Sequence, residues 1–228
     1  MTDNESMAGL KSRWHFRLRS GRGFSLLELL VVVAVVGILA SLAVPAFNSI
    51  GAARGTVDAA YKIADAVELA RSEAVARRTF VWLGLQDATN FGNRNLRLGV
   101  VYSKDGSTNT SAANLQAISR PVLLERVGLV GSADTGTNNA RYATAVALAN
   151  NSAGATFSVG SQSFSNKTIT FTPTGEAMLT GLPTATTGFE PQILIGLRGF
   201  RGTTEATNND IAVVVDGSAG IPAIFRKQ

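Results

Sequence analysis

The sequence predicts an α+β fold, in which one long N-terminal helix is followed by an antiparallel β-sheet domain. Residues 24–79 keep a helical pattern, and short β-branched and aromatic runs separated by polar, turn-rich stretches follow from residue 79 onward. At 228 residues, the chain has room for one domain of ordinary size plus an appendage. Its composition, 45% hydrophobic and 16% charged, favours a packed core over general disorder.

The positive charge is concentrated at the start of the chain. Residues 1–23 contain five basic and two acidic side chains, a net +3, whereas the other 205 residues contain 16 basic and 14 acidic, a net +2. Without the basic segment the chain is nearly neutral, so its overall charge does not indicate a general attraction for nucleic acid.

The residue inventory argues against a typical hydrolase. There is no cysteine, and the one histidine is His15, inside the basic segment. Thiolate metal sites, cysteine nucleophiles and histidine-dependent sites are therefore not expected in the rest of the chain. No glycine-rich phosphate loop and no metal-ligand spacing is present, and Asp105-Gly106 and Asp216-Gly217 are interpreted as turns. We predict no catalytic activity, no cofactor and no metal.

The N-terminal helix begins with an apolar stretch of membrane-spanning length. Leu29–Phe47 is almost wholly apolar, and no charged residue occurs from Leu29 to Ala53. Nineteen residues in a helix extend about 28 Å, close to the hydrocarbon thickness of a bilayer. Because the basic residues come immediately before it, the positive-inside rule keeps residues 1–23 in the cytoplasm and predicts export of everything after Asn48.

Three interpretations of this segment compete. It could be a secretory signal with Ser41-Leu42-Ala43 as the cleavage site, or a plain single-pass anchor. The third interpretation rests on Glu28, which neither of the others requires. A carboxylate carried deep into a membrane costs about 2.5–3.5 kcal/mol, so Glu28 is expected to have a partner.

The segment Arg22-Gly23-Phe24-Ser25-Leu26-Leu27-Glu28-Leu29-Leu30, with the apolar run and Pro45 after it, resembles the class III signal of type IV pilins and type II secretion pseudopilins. The resemblance implies that a prepilin peptidase cuts after Gly23 and N-methylates Phe24. It also implies the type IV pilin fold, with residues 1–23 as a removed leader, 24–47 as a transmembrane and filament-core helix, 48–79 as the amphipathic half of the spine and 80–228 as the β-rich domain.

Physical reasoning fits this resemblance. Cleavage at Gly23 would create a positive amine at Phe24, about one helical turn before Glu28. In a filament, the carboxylate of one subunit can pair with the amine of its neighbour, which sets register as well as affinity. The apolar helices then associate away from water. At Pro45, which lacks an amide donor, a kink or a short melted stretch is expected.

The second half of the spine is amphipathic, and we predict that its apolar stripe packs on the sheet rather than forming a cofactor groove. Charged residues occupy the rest of its surface. The predicted stripe consists of Ile50, Val57, Ala60, Ala64, Val67, Ala70 and Ala74.

Beyond the spine we predict short strands and one short helix, the helix at Arg141–Ala149. The predicted strands are Thr79–Leu85, Leu96–Tyr102, Val122–Val130, Thr168–Thr172, Gln192–Leu197, Ile211–Val215 and Ala223–Phe225.

Two further segments resemble the GspH/FimT subfamily of minor pilins and pseudopilins. Ala70–Ala74 (ARSEA) is similar to that subfamily's helix end, and Ile169–Ala177 (ITFTPTGEA) is similar to its strand-turn segment, in which Gly175 would supply a permissive backbone position. The long insertions around 103–119 and 131–155 depart from the subfamily, as does the lack of cysteines. The resemblance implies an inner-membrane protein with a periplasmic domain. Its partners would be the prepilin peptidase and the major and minor subunits of a pilus or pseudopilus.

An alternative function concerns basic residues near the C-terminus. Some FimT-like minor pilins bind DNA in natural transformation through C-terminal arginines next to glycine. Here Arg198 and Arg201 flank Gly199-Phe200, and Arg226 and Lys227 end the chain, without a clear copy of that motif. These side chains could contact phosphates, with Phe200 stacking on a base. The simpler interpretation is that they are solvated loop and terminal residues.

Overall fold

The computed structural model describes residues 25–90, 92–131, 145–152, 154–179, 191–206 and 210–226, with side chains for all of these except 42–53 and 90. Residues Met1–Ala43 and Val44–Gln228 form separate compact units. The predicted Gly23, Phe24 and Lys227 sites lie outside the described residues.

One helix and fourteen strands make up the described chain. The helix α1 is Leu26–Arg77. The strands are β1 Val81–Asn90, β2 Asn93–Ser103, β3 Leu115–Ala117, β4 Val122–Leu124, β5 Val127–Val130, β6 Val146–Ala147, β7 Thr156–Val159, β8 Gln162–Ser165, β9 Thr168–Phe171, β10 Ala177–Met178, β11 Gln192–Arg201, β12 Thr204–Glu205, β13 Ile211–Asp216 and β14 Pro222–Arg226. A 3-10 turn covers Leu148–Asn150.

The α+β class is confirmed. The described strands form two large sheets and a separate hairpin, whereas a single sheet was expected. The first sheet has the order β10-β9-β1-β2-β3, with β4 also on β2. The second has the order β12-β11-β13-β14, with β5 and β6 also on β11, and β7 and β8 form a hairpin of their own. All described pairs are antiparallel except β6 with β11.

The predicted spine helix is confirmed to within two residues at each end. It continues through Pro45, so the chain does not melt there. It ends where Arg78 adopts a left-handed backbone, with φ of 52°. The amide of Thr79 then donates to the carbonyl oxygen of Ala74 at 3.1 Å and closes the last turn.

The second half of α1 packs its small residues against both large sheets. Ala60, Val67, Ala70 and Ala74 of the predicted stripe are buried, and Val57 and Ala64 are half-buried. The helix also buries Ala59, Ile63 and Ala66, which the prediction did not include. These join inward residues of β1, β2 and β9 on one side and of β11 and β13 on the other to form one core. The expectation of core packing is confirmed.

The predicted strand Val122–Val130 is wrong as a single element. A turn at Glu125-Arg126, where Arg126 has φ of 58°, divides it into β4 and β5. The amide of Arg126 donates to the side-chain oxygen of Asn95 at 2.9 Å and stabilises this turn. The chain changes sheets here, since β4 pairs with β2 and β5 pairs with β11.

The predicted helix Arg141–Ala149 is also wrong where it is described. Val146 and Ala147 form a strand opposite Ile193 and Leu194. Pairing with a buried strand therefore outweighs the helix propensity of an alanine-rich stretch. Residues 141–144 lie outside the described part.

The hairpin of β7 and β8 was not predicted. Phe157 and Phe164 stack across it with ring centroids 5.1 Å apart, on the outer face of the first sheet. Their rings lie over Gly84 and Gly99, which are directly opposite each other in β1 and β2. A Cβ at Gly99 would lie 2.6 Å from Cζ of Phe164, so the glycines make the surface flat enough for the two rings.

Candidate functional site

Glu28, the residue predicted to act in assembly, lies at the start of α1. The amide of Leu29 donates to the carbonyl oxygen of Ser25 at 3.1 Å, which closes the first turn. Glu28 lies in this turn with its side chain exposed. A carboxylate here is favourable because it faces the positive end of the helix dipole. Within the described part of the chain, Glu28 makes no ion pair.

The apolar part of α1 exposes side chains on every side. Between Leu26 and Leu39, eleven large apolar side chains are 49–82% exposed. They are Leu26, Leu27, Leu29, Leu30, Val31, Val32, Val33, Val35, Val36, Ile38 and Leu39. A helix that is apolar all round belongs in an apolar environment, either in lipid or among other helices.

Among the described residues, no helix was found that is long and apolar enough to span a membrane.

Two segments that were singled out separately in the sequence are in contact. Gly175, in the turn between β9 and β10, has φ of 92°, which confirms the predicted permissive position. A Cβ there would lie 3.1 Å from Cγ2 of Val75 and 3.5 Å from Nε of Arg71. The turn therefore packs closely on the end of α1. Arg71 also lies beside Gly220, in the turn between β13 and β14.

Arg198, one of the basic residues near the C-terminus, is bound by two carboxylates within the fold. Its Nε donates to Oδ1 of Asp210 at 2.8 Å, and its NH2 group donates to Oδ2 of the same carboxylate at 2.9 Å. A third nitrogen pairs with Glu205. Only 12% of the Arg198 side chain and 2% of the Asp210 side chain are exposed. These hydrogen bonds, those to Asp210 foremost, raise the pKa of the guanidinium above its usual value.

The strands that carry the basic residues are neighbours in the second sheet, in the order β11-β13-β14. Leu197 is opposite Ile211, which is opposite Arg226. Side chains alternate between the faces of a sheet, so Arg226 shares the face of Leu197 and Arg201, while Arg198 is on the other face. Arg201 and Arg226 are exposed. The acidic partners of Arg198 were missed, although their approach follows from the pairing of β11 with β12 and β13.

The two predicted aspartate turns are confirmed. Oδ1 of Asp105 accepts from the amide of Ser107 at 2.8 Å, which, with other hydrogen bonds, holds its pKa far below the usual value. The hydroxyl of Ser218 and the amide of Ala219 likewise lower the pKa of Asp216. Both carboxylates stabilise their own turns. Across the described residues, no cluster of three or more potential metal ligands occurs.

Comparison with known proteins identifies one segment. Residues 18–44 match the family model described as the prokaryotic N-terminal methylation motif. The matched span contains Gly23, Phe24 and Glu28 and ends one residue before Pro45. No curated protein and no solved structure matches the chain.

Proposed function

We propose that this chain, which carries the hallmark motif of type IV pilin and pseudopilin precursors, is a minor, non-catalytic structural subunit of a type IV pilus or a type II secretion pseudopilus. The motif implies processing by a prepilin peptidase, anchoring in the inner membrane and assembly with other pilins. The observation that carries the proposal is the combination, within residues 18–44, of this motif, the exposed carboxylate of Glu28 and the apolar surface that follows it.

Processing is the first step of the proposal. The peptidase cleaves after Gly23 on the cytoplasmic side and methylates the new amino group of Phe24. The leader carries a net +3, so its removal takes most of the positive charge from the chain. The apolar helix remains in the membrane with its start at the cytoplasmic surface and the β-rich domain in the periplasm.

Assembly then depends on Glu28. In a packed filament, its carboxylate pairs with the amine at Phe24 of a neighbouring subunit. Both charges are removed from water as the apolar helices associate, so their attraction is strong, and a single unpaired charge is costly. The pair therefore fixes the axial register of one helix against the next.

The apolar surface supplies the association itself. The exposed side chains between Leu26 and Leu39 would be covered by lipid before assembly and by neighbouring helices in the filament. Exchange of lipid contacts for helix contacts gives little hydrophobic gain, so packing and the Glu28 ion pair determine the specificity.

Assignment to the GspH/FimT type is supported by the contact between its two resembling segments. The helix-end segment contributes Arg71, and the strand-turn segment contributes Gly175. Segments that specify a common fold are expected to pack together, and these two do.

Two variants test the function. Gly23→Trp should leave the precursor at full length in the membrane, as measured by immunoblot; unchanged cleavage would contradict the processing step. Glu28→Ala should still insert but lower the fraction of subunits in purified filaments by at least about tenfold, because the amine of the neighbour loses its partner. Glu68→Ala, which removes an exposed acid from the same helix outside the motif, is the matched control and should assemble normally.

A second candidate function is DNA capture in natural transformation, which the exposure of Arg201 and Arg226 on one sheet face favours. We place it second because Arg198 is neutralised by Asp210 and Glu205. The double variant Arg201→Gln and Arg226→Gln should then weaken DNA binding, and the salt dependence should become shallower. The absence of a gel shift by the wild-type protein at low salt would eliminate this candidate.

A further inference from the structure

A cleft of about 410 Å³ lies on the outer face of the first sheet, between β4 and the turn of the β7–β8 hairpin. Its lining includes Arg97, Arg120, Pro121, Val122, Leu123 and Val159. We call it the Arg97–Arg120 cleft. It lies wholly within the unit Val44–Gln228.

The register of the strands places Arg97 in this cleft. Arg97 is opposite Gln86 on one side and Leu123 on the other. It follows Leu96 and precedes Leu98, both of which point into the core, so Arg97 is on the outer face, where the hairpin packs. Arg120 reaches the cleft from the segment just before β4 and is exposed.

The two arginines lack compensating charge. Neither guanidinium group makes an ion pair or a hydrogen bond with any described residue, and the lining contains no aspartate or glutamate. Other arginines of the domain do have acidic partners. Arg94 pairs with Asp87, and Arg198 pairs with Asp210 and Glu205. Two guanidinium groups in one cleft favour an anion, and their planar geometry suits a carboxylate.

The rest of the cleft has the features of a peptide site. Val122 and Leu123 are 39% and 36% exposed, respectively, beside Pro121 and Val159. Among the described strands, β4 pairs only with β2, so its other edge has open backbone groups. An exposed edge of this kind accepts an extended segment as an added strand.

We propose that the Arg97–Arg120 cleft binds an extended acidic peptide segment of another protein. The segment lies along β4. Because successive side chains of a strand alternate between faces, its apolar side chains lie on the face of Val122, and its carboxylates lie on the face of Leu123 and Arg97, within reach of Arg120. A peptide fits better than a nucleic acid because no aromatic ring lines the cleft for base stacking and its lining contains only two cations. This role is separate from filament assembly through α1.

The test uses the full-length protein in a neutral detergent and a fluorescein-labelled peptide, Thr-Glu-Val-Glu-Val-Thr, with fluorescence anisotropy as the readout. The matched peptide Thr-Gln-Val-Gln-Val-Thr has the same shape without the charges. We expect the acidic peptide to bind at least tenfold more tightly than its glutamine analogue. Arg97→Gln and Arg120→Gln should each raise its Kd about tenfold.

Controls separate binding from folding. Arg54→Gln removes an exposed arginine from α1 and should leave the Kd unchanged. Arg120 lies outside the strands, so its variant tests the proposal even if Arg97→Gln lowers stability in thermal melts. Equal binding of the two peptides, wild-type affinity in both arginine variants, or binding of a single-stranded oligonucleotide in place of the acidic peptide would overturn the proposal. None of these outcomes bears on processing at Gly23.

Discussion

Gly220 lies directly against the carbonyl oxygen of Gly175, so the β13–β14 turn and the β9–β10 turn touch backbone to backbone beside Arg71. A Cβ at position 220 would overlap that oxygen, and Gly220 also has φ of 63°. Glycine is therefore needed at this position for two reasons. The contact joins a turn of the second sheet to a turn of the first, next to the end of α1.

Gly220→Ala should lower the free energy of unfolding by more than the cost of placing alanine in a left-handed conformation. The left-handed conformation costs about 1–2 kcal/mol for a residue with a Cβ, and the overlap adds a further ~1–3 kcal/mol. Gly160→Ala is the matched control, because Gly160 has φ of 60° but open space where its Cβ would be. Urea unfolding of the full-length protein in detergent measures both, and equal losses would show that the contact with Gly175 is unimportant.

The packing of the hairpin on the first sheet can be tested with a double-mutant cycle. Gly99→Ala forces a methyl group into the ring of the fully buried Phe164 and should cost about 1–3 kcal/mol. In a Phe164→Leu background the same change should cost much less, because the ring atoms it meets are gone. Additive losses in chemical unfolding would contradict direct contact between these positions.

The Arg198 ion pairs should contribute unequally to stability. Asp210→Asn leaves a mostly buried guanidinium without its bidentate partner and should cost about 3–5 kcal/mol. Glu205→Gln affects a carboxylate that is 48% exposed and should cost no more than about 1 kcal/mol. The two variants serve as controls for each other in thermal unfolding. Similar losses would show that burial does not govern this cluster.

The turn at Asp216 should make part of the stability depend on pH. Its pKa is lowered in the folded state by Ser218 and Ala219, so the stabilisation is present above the unfolded-state pKa of about 3.9 and is lost as pH falls through the lower folded value. Asp216→Asn should therefore be less stable than wild type at pH 7, with the difference shrinking below about pH 4. A difference that stays constant down to pH 2 would contradict this account.

The sequence predicted those helices and strands in which the apolar residues themselves follow helix or strand spacing. The spine helix, β9, β11 and β13 were identified because apolar residues recur in them at helix or strand spacing. The hairpin of β7 and β8 was missed although Ala155, Phe157 and Val159 alternate with polar residues, because Phe164 is the one apolar residue of β8. Its stability depends on Gly84 and Gly99, which are far away in sequence.

The same contrast holds for the candidate residues. Glu28 was recognisable because its spacing from Gly23 and the apolar run is local in sequence, and the matched motif covers these residues. The ion pairs of Arg198 depend on strand register between β11 and β13, and the sequence contains no local signal of that register. The Arg97–Arg120 cleft brings together three separate segments and was likewise not predicted.

Mass spectrometry of the protein extracted from membranes of its producing cell, with the prepilin peptidase present, tests the central claim most directly. The account predicts a mature chain that begins with an N-methylated Phe24. An intact Met1, or a first residue of Val44 left by ordinary signal cleavage, would contradict it.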